Sequence, residues 1–378
     1  MSLRTLELAG FRSYESLTLE FENGPHVIVG RNAAGKTNLV ESIAVLSSGR
    51  SHRTSTDAEV VRWGSDFARL VASVPSATTD SAEELEVVIH ARGSPSGNRK
   101  RVRVNGVNRR ATALQPILRT VLFAPEDMLL IVGSPTLRRG LLDSLVSQRE
   151  PTAPSVMSTY SRALTQRNSL LRRIREGEAS RDELPYWDEL VVEHGGQIRA
   201  WRGETLAALE QPLFEAHAEI APSEAKLLLR YVTNAPAEPG EAPAAALRRR
   251  LRETADKEAW NGATLVGPHR DDLAFESDGR DLTEFASRGQ QRTAILALKL
   301  AELDLLTATD DRPPLLLLDD VFSELDPMRR AHLVRRIGDL PQAIVTTTTA
   351  DDLDPELVGA SRLWEVEPGQ VLPVGRRA

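Results

Sequence analysis

The chain has 378 residues, 41% hydrophobic and 27% charged, with no cysteine and a formal net charge of −7. That length supports two or three domains' worth of core, and the missing cysteines exclude disulfides and thiolate metal sites. No apolar run reaches the ~20 residues of a membrane span, no signal-peptide pattern follows Met1, and the acidic balance excludes a uniformly basic nucleic-acid coat, so a cytoplasmic protein with local basic patches is expected.

Residues 3–8 and 17–21 alternate apolar and polar, which is strand behaviour, and Gly10-Phe11-Arg12-Ser13-Tyr14 lies between them. Asn23-Gly24-Pro25 turns the chain into the short apolar run His26–Val29. Next comes Gly30-Arg31-Asn32-Ala33-Ala34-Gly35-Lys36-Thr37-Asn38, followed by Leu39, Ile43 and Leu46 at helical spacing. Strand, glycine-framed loop and helix form a phosphate cradle. Backbone N–H groups curl round the phosphates and the helix N-terminus adds its positive end. Lys36 is expected to reach the β- and γ-phosphates and the Thr37 hydroxyl to sit on Mg²⁺.

Arg50, His52 and Arg53 follow that helix in a polar stretch, either beside a nucleotide or nucleic acid or simply as a solvated connection. Phe67–Val74 and Leu85–His90 read as strands. From Arg99 to Arg110 the chain is rich in Arg and Lys around Asn105-Gly106, a strong hairpin signal. Such a ribbon could lie along DNA phosphates, the alternative being a merely charged, solvated hairpin. From Ala113 the pattern turns helical, with Met157, Tyr160, Leu164, Leu171 and Ile174 on one face and Trp187, Leu190, His194, Ile198 and Trp201 on another. Leu227–Val232 reads as a strand, Ala235–Ala246 as an exposed loop and Ile295–Leu306 as a helix. Leu315–Leu318 is a buried strand delivering Asp319 and Asp320. Asp319 suits Mg²⁺, and Asp320 suits a place near the γ-phosphate, polarising the attacking water.

Ser287-Arg288-Gly289-Gln290-Gln291 at a helix start is similar to the signature motif of ABC-type ATPases, and Ser323-Glu324-Leu325-Asp326 to their D-loop. The resemblance implies that Ser287, Gly289 and Gln290 of one subunit face the γ-phosphate held by the loop of another. The match narrows with Val266-Gly267-Pro268-His269-Arg270-Asp271-Asp272-Leu273, Leu298-Lys299-Leu300-Ala301-Glu302, Phe123-Ala124-Pro125-Glu126-Asp127 and Tyr160–Asn168. Together these resemble the RecF family, nearly end to end.

The resemblance implies an α/β, ABC/SMC-type ATPase head with an inserted helical lobe. Residues 1–125 and 311–378 would form lobe I, and residues 126–310 lobe II with the signature. It implies ATP and Mg²⁺ as ligands, a catalytic set of Lys36, Asp320 and Ser287, and Arg12 beside the nucleotide. It also implies an ATP-dependent homodimer on DNA at gaps or junctions, weak DNA-dependent ATP hydrolysis, and help from RecO and RecR in loading RecA during repair, replication restart and the SOS response. A transporter's energising subunit and a nuclease-associated ATPase of the SMC relatives are the competing readings. Three departures stand out: Ala33 where the family usually has Gly, Asp320 where most ABC enzymes have Glu, and Ile344–Thr349 where many present a γ-phosphate-sensing His. The shorter acid and missing His imply slow turnover.

Overall fold

The computed structural model describes residues 1–76, 81–94 and 100–374. The chain divides into two compact units: residues 1–127, 216–222 and 292–378 form the first, and residues 128–215 and 223–291 the second. Residues 292–310, expected in lobe II, thus belong with the first unit.

The first unit opens with β1 (Thr5–Phe11), β2 (Tyr14–Glu20), β3 (Gly24–Val29) and α1 (Lys36–Ser48). β4 (Phe67–Pro75), β5 (Ala82–His90), β6 (Lys100–Val104) and β7 (Val107–Arg109) follow. The Asn-Gly signal is borne out: Asn105 and Gly106 both take positive φ, 51° and 75°, the two-residue turn that matches strand twist. Asn98 and Arg99 of that basic run lie outside the described residues. β8 (Thr120–Phe123) corrects the reading of helix from Ala113 onward. Four residues are too few to show a period, and only tertiary pairing makes them a strand.

The second unit holds α2 (Leu129–Val132), α3 (Pro135–Arg149), α4 (Ala153–Arg175) and most of α5 (Leu184–Ile220). It continues through β9 (Leu227–Val232), α6 (Pro243–Asn261), β10 (Asp272–Ser277), β11 (Arg280–Asp281), α7 (Leu282–Phe285) and the first turn of α8 (Arg288–Asp310). It is therefore not purely helical, because β11, β10 and β9 form a sheet. Helix also replaces the last residues of the expected loop, since Pro243 suits a first helical turn and Ala246 and Leu247 are buried. Tyr160, Val191, Ile198, Leu247 and Val266 are among the residues of its core.

The chain closes in the first unit with β12 (Leu315–Asp319), α9 (Pro327–Gly338), β13 (Gln342–Thr347), α10 (Pro355–Ala360), β14 (Arg362–Glu367) and β15 (Gln370–Pro373). Two sheets result, an antiparallel one in the order β2-β1-β4-β5-β6-β7 and a mostly parallel one in the order β15-β14-β3-β13-β12-β8. β12 is apolar on both faces because a parallel strand is covered on both. Leu39, Ile43 and Leu46 of α1 pack into the same core as Leu315, Leu317 and Ile344. The carboxyl ends of β3, β13 and β12 therefore lie side by side, with β13 between the other two.

Candidate functional site

Loop 30–38 joins β3 to α1. Its backbone is tight. A Cβ at Gly35, where φ is +123°, would meet the Tyr14 hydroxyl at 2.8 Å, and one at Gly30 would meet the Val366 carbonyl at 2.7 Å. Tyr14 donates to the Gly35 carbonyl at 3.0 Å, and Gly30 N–H donates to the Thr347 carbonyl at 3.2 Å. Ala33 takes φ +66°. An L-residue pays about 1 kcal/mol there, so Ala33→Gly is expected to leave the fold's stability unchanged or raised by up to about 1 kcal/mol, measured by thermal unfolding without nucleotide.

Lys36 is buried and donates to the carbonyls of Gly30 at 2.6 Å and Arg31 at 3.2 Å. Burial pushes its ammonium below the ordinary lysine value, and the carboxylates of Asp320 and Asp319 pull part of the way back. A desolvated cation in a cradle of backbone is the partner a phosphate needs. No side chain caps the first turn of α1 and no acid lies in it, which leaves its positive end for an anion. Asp319 is buried at the end of β12, where one carboxylate oxygen accepts from Thr346 Oγ1 at 2.6 Å. Asp320, at φ +55°, has its N–H donating to the carbonyl of Thr346 at 3.2 Å. Among the described residues no group of three or more His, Asp or Glu could hold a metal unaided. The buried Asp319 carboxylate and the Thr37 hydroxyl in the first turn of α1 are oxygen donors of the kind Mg²⁺ takes, and would hold it together with substrate phosphates and water.

The sequence pattern missed Glu41, the hub that ties this centre together. It is fully buried on α1, and Arg12 grips it with Nε at 2.9 Å and a second nitrogen at 2.6 Å. Arg53 reaches the same carboxylate at 3.1 Å and Asn38 Oδ1 at 3.0 Å, while Asn38 donates to Ser13 Oγ at 2.9 Å. Arg12 also donates to the Glu59 carbonyl at 2.8 Å, so its guanidinium bridges α1 and the backbone at Glu59. One acid inside an apolar helix face was the available signal. Burial alone would raise the Glu41 carboxyl, but Arg12, Ser51 and Arg53 hold it below the usual carboxylate range. Its stabilisation is complete above that range and is lost as pH falls through it. Glu41→Gln is expected to cost about 3 kcal/mol at pH 7, and the gap to wild type should narrow towards pH 4 in denaturant titrations.

Ser287, Gly289 and Gln290 stand exposed at the start of α8, in the second unit. Ser287 N–H donates to Gln290 Oε1 at 3.0 Å and Gln290 N–H to Ser287 Oγ at 3.3 Å, a reciprocal cap. The cap fixes the turn and leaves the Ser287 hydroxyl hydrogen available to an acceptor. After Asp320, Asp326 accepts from Arg329 N–H at 3.0 Å and starts α9.

A family model described as the RecF/RecN/SMC N terminal domain matches residues 2–360. A Heliobacterium modesticaldum protein named DNA replication and repair protein RecF is 38% identical over 374 residues, spanning 98% of this chain and 99% of that protein. The Bacillus subtilis protein of the same name is 38% identical over 381 residues, spanning 98% and 100%. A solved structure of the recombination mediator protein RecF with ATP, in the RecFOR pathway, matches with a TM-score of 0.89 at 30% identity over 99% of this chain and 97% of that one. An Smc head bound to the C-winged helix domain of ScpA matches with a TM-score of 0.54 at 15% identity, a likeness of fold alone. The fold is the ABC/SMC-type ATPase fold, and the chain belongs to the RecF family.

Proposed function

We propose that the protein is an ATP-gated DNA clamp of recombinational repair and replication restart. In this reading Lys36 and the N–H groups of loop 30–38 bind the phosphates of ATP, and Asp320 orients the attacking water. Thr37 and Asp319 would hold Mg²⁺, which would supply charge neutralisation at the phosphates. Ser287, with Gly289 and Gln290, completes the site from a second copy of the chain. The observation that carries the proposal is that one chain holds both a desolvated Lys36 in its loop and an exposed, self-capped serine turn at α8, since each is half of an anion site. An Asp at position 320 and Thr347 at the end of β13 favour slow turnover, with binding rather than hydrolysis setting the clamp.

The relatives' names, which speak of DNA replication and repair and of the RecFOR pathway, support DNA and the RecO and RecR proteins as partners, and the same reading extends to single-strand gaps or junctions and, through those proteins, to RecA. A weak ATPase activity stimulated by DNA and a cytoplasmic location belong to the same reading. No helix among the described residues is long and apolar enough to cross a membrane. Light scattering with and without ATP and Mg²⁺ tests the clamp. The mass is expected to double with nucleotide, and a mass indifferent to ATP would remove the composite site.

A further inference from the structure

α4 is unusual in an acidic chain. Its 23 residues contain five arginines, many hydroxyls and no Asp or Glu. One of the arginines, Arg167, is buried and spent inside the second unit on Asp188 at 2.6 Å and Glu258 at 2.8 Å. The opposite face is different. Ser155, Ser158, Arg162, Thr165, Ser169 and Arg172 follow the three-four spacing of a single helical stripe, all exposed or half-exposed, and Arg173 flanks it. Arg162 donates to Thr159 Oγ1 at 3.3 Å, and among the described residues Arg162, Arg172 and Arg173 form no ion pair.

Other basic stretches are largely neutralised where they stand. On α6, Arg248 pairs with Glu189, Arg249 with Glu241 and Arg250 with Glu253. On the hairpin, Lys100 pairs with Asp57 and Arg103 with Glu86, although Arg101, Arg109 and Arg110 remain exposed. The outer stripe of α4 thus carries its cations without an ion pair of their own, and the first acid beyond it, Glu176, is taken by Arg175 at 3.3 Å.

We infer that the outer face of α4 is a track for the phosphate backbone of duplex DNA. This rests on the proposed DNA-binding role and names a surface for it. From Ser155 to Arg172 the stripe runs about 26 Å, roughly seven base-pair steps at ~3.4 Å each. Its chemistry is guanidinium and hydroxyl, which grip phosphate oxygens without reading bases. It carries no aromatic side chain, so it lacks the stacking platform that a single strand would use, and duplex is the occupant that fits.

The test is anisotropy of a labelled duplex and of a labelled oligo-dT, with the full chain, ATP and Mg²⁺, over a range of salt. Two variants are compared, R162Q/R172Q/R173Q and S158E/T165E, with R248Q/R249Q/R250Q as control. Loss of three phosphate contacts is expected to flatten the slope of log K against log salt by about 2.7 for the duplex and to weaken binding more than tenfold near 0.1 M salt. The glutamate variant should weaken it similarly, and the control should change it little. ATP affinity and the melting temperature report that each variant is folded. Unchanged duplex binding by both α4 variants overturns the track, as does a loss confined to oligo-dT. Duplex binding retained with loss of the ATP-driven mass increase also overturns it, in favour of a contact between copies. Wild type that binds no DNA at all overturns the functional reading along with the track.

Discussion

Lys36→Ala is expected to weaken ATP binding by at least 100-fold, about 3 kcal/mol, while leaving the fold intact. The Lys36 ammonium is buried, seated on the carbonyls of Gly30 and Arg31, and held below its ordinary value chiefly by that burial. A protonated group whose folded pKa is depressed costs the folded state free energy at neutral pH, and that cost is relieved as pH rises through the depressed value. Removing the ammonium therefore removes a penalty from the apo protein together with two hydrogen bonds. The apo melting temperature is expected to hold or rise slightly. What disappears is the upward shift of that temperature on adding ATP, because ligand stabilisation depends on affinity. Lys36→Arg is expected to fail similarly: a planar guanidinium cannot take the place of a compact ammonium in a loop this tight. Calorimetric titration with a slowly hydrolysed ATP analogue measures the effect. Near-wild-type affinity in both variants would move phosphate binding away from this loop.

The centre divides into parts that the sequence displayed and parts it concealed, and the division follows sequence distance. Loop 30–38 and the turn at Asn105-Gly106 were legible because local chemistry dictates them. The cap at Ser287 and Gln290 is local too, three residues apart. Nothing local announces that β13 inserts between β3 and β12, so the nearness of Thr347 to Gly30 could be learned only from the sheet. β14 and β15 differ, because the alternation of Trp364–Glu367 and the Pro368-Gly369 turn mark that hairpin locally. In the second unit, Asp271 illustrates the limit. It is fully buried, bound by Arg199 at 2.7 and 2.8 Å across 72 residues of sequence, and it accepts from Tyr231 at 2.6 Å and Thr233 at 2.8 Å. The sequence displayed Asp271 within a family motif, and the structure shows the acid as the centre of a buried polar knot. An ion pair of that kind has no periodicity to betray it, and its worth lies in the cost of breaking it, several kcal/mol when one partner is removed.

Ser287→Arg is expected to abolish the doubling of mass with ATP and Mg²⁺ while leaving nucleotide affinity within a few-fold of wild type. Ser287 is exposed, and its hydroxyl caps Gln290 N–H at the start of α8. Loss of the cap costs about 1 kcal/mol locally, too little to unfold a chain of this size. The larger effect falls on what the turn can receive. A serine hydroxyl at a helix N-terminus makes a compact anion site, whereas arginine fills that space with a bulky side chain and lays a second positive charge on the positive end of the helix. Gln290→Ala serves as the comparison, because it keeps the hydroxyl and removes only the reciprocal half of the cap. It is expected to weaken the dimer without abolishing it. If Ser287→Arg kept the ATP-dependent dimer, the turn would lie outside the interface, and the loop around Lys36 would have to be complete within one chain. If the variant lost ATP binding together with the dimer, Ser287 would act on the nucleotide before a second copy arrives, and a site completed in trans would give way to one completed in cis.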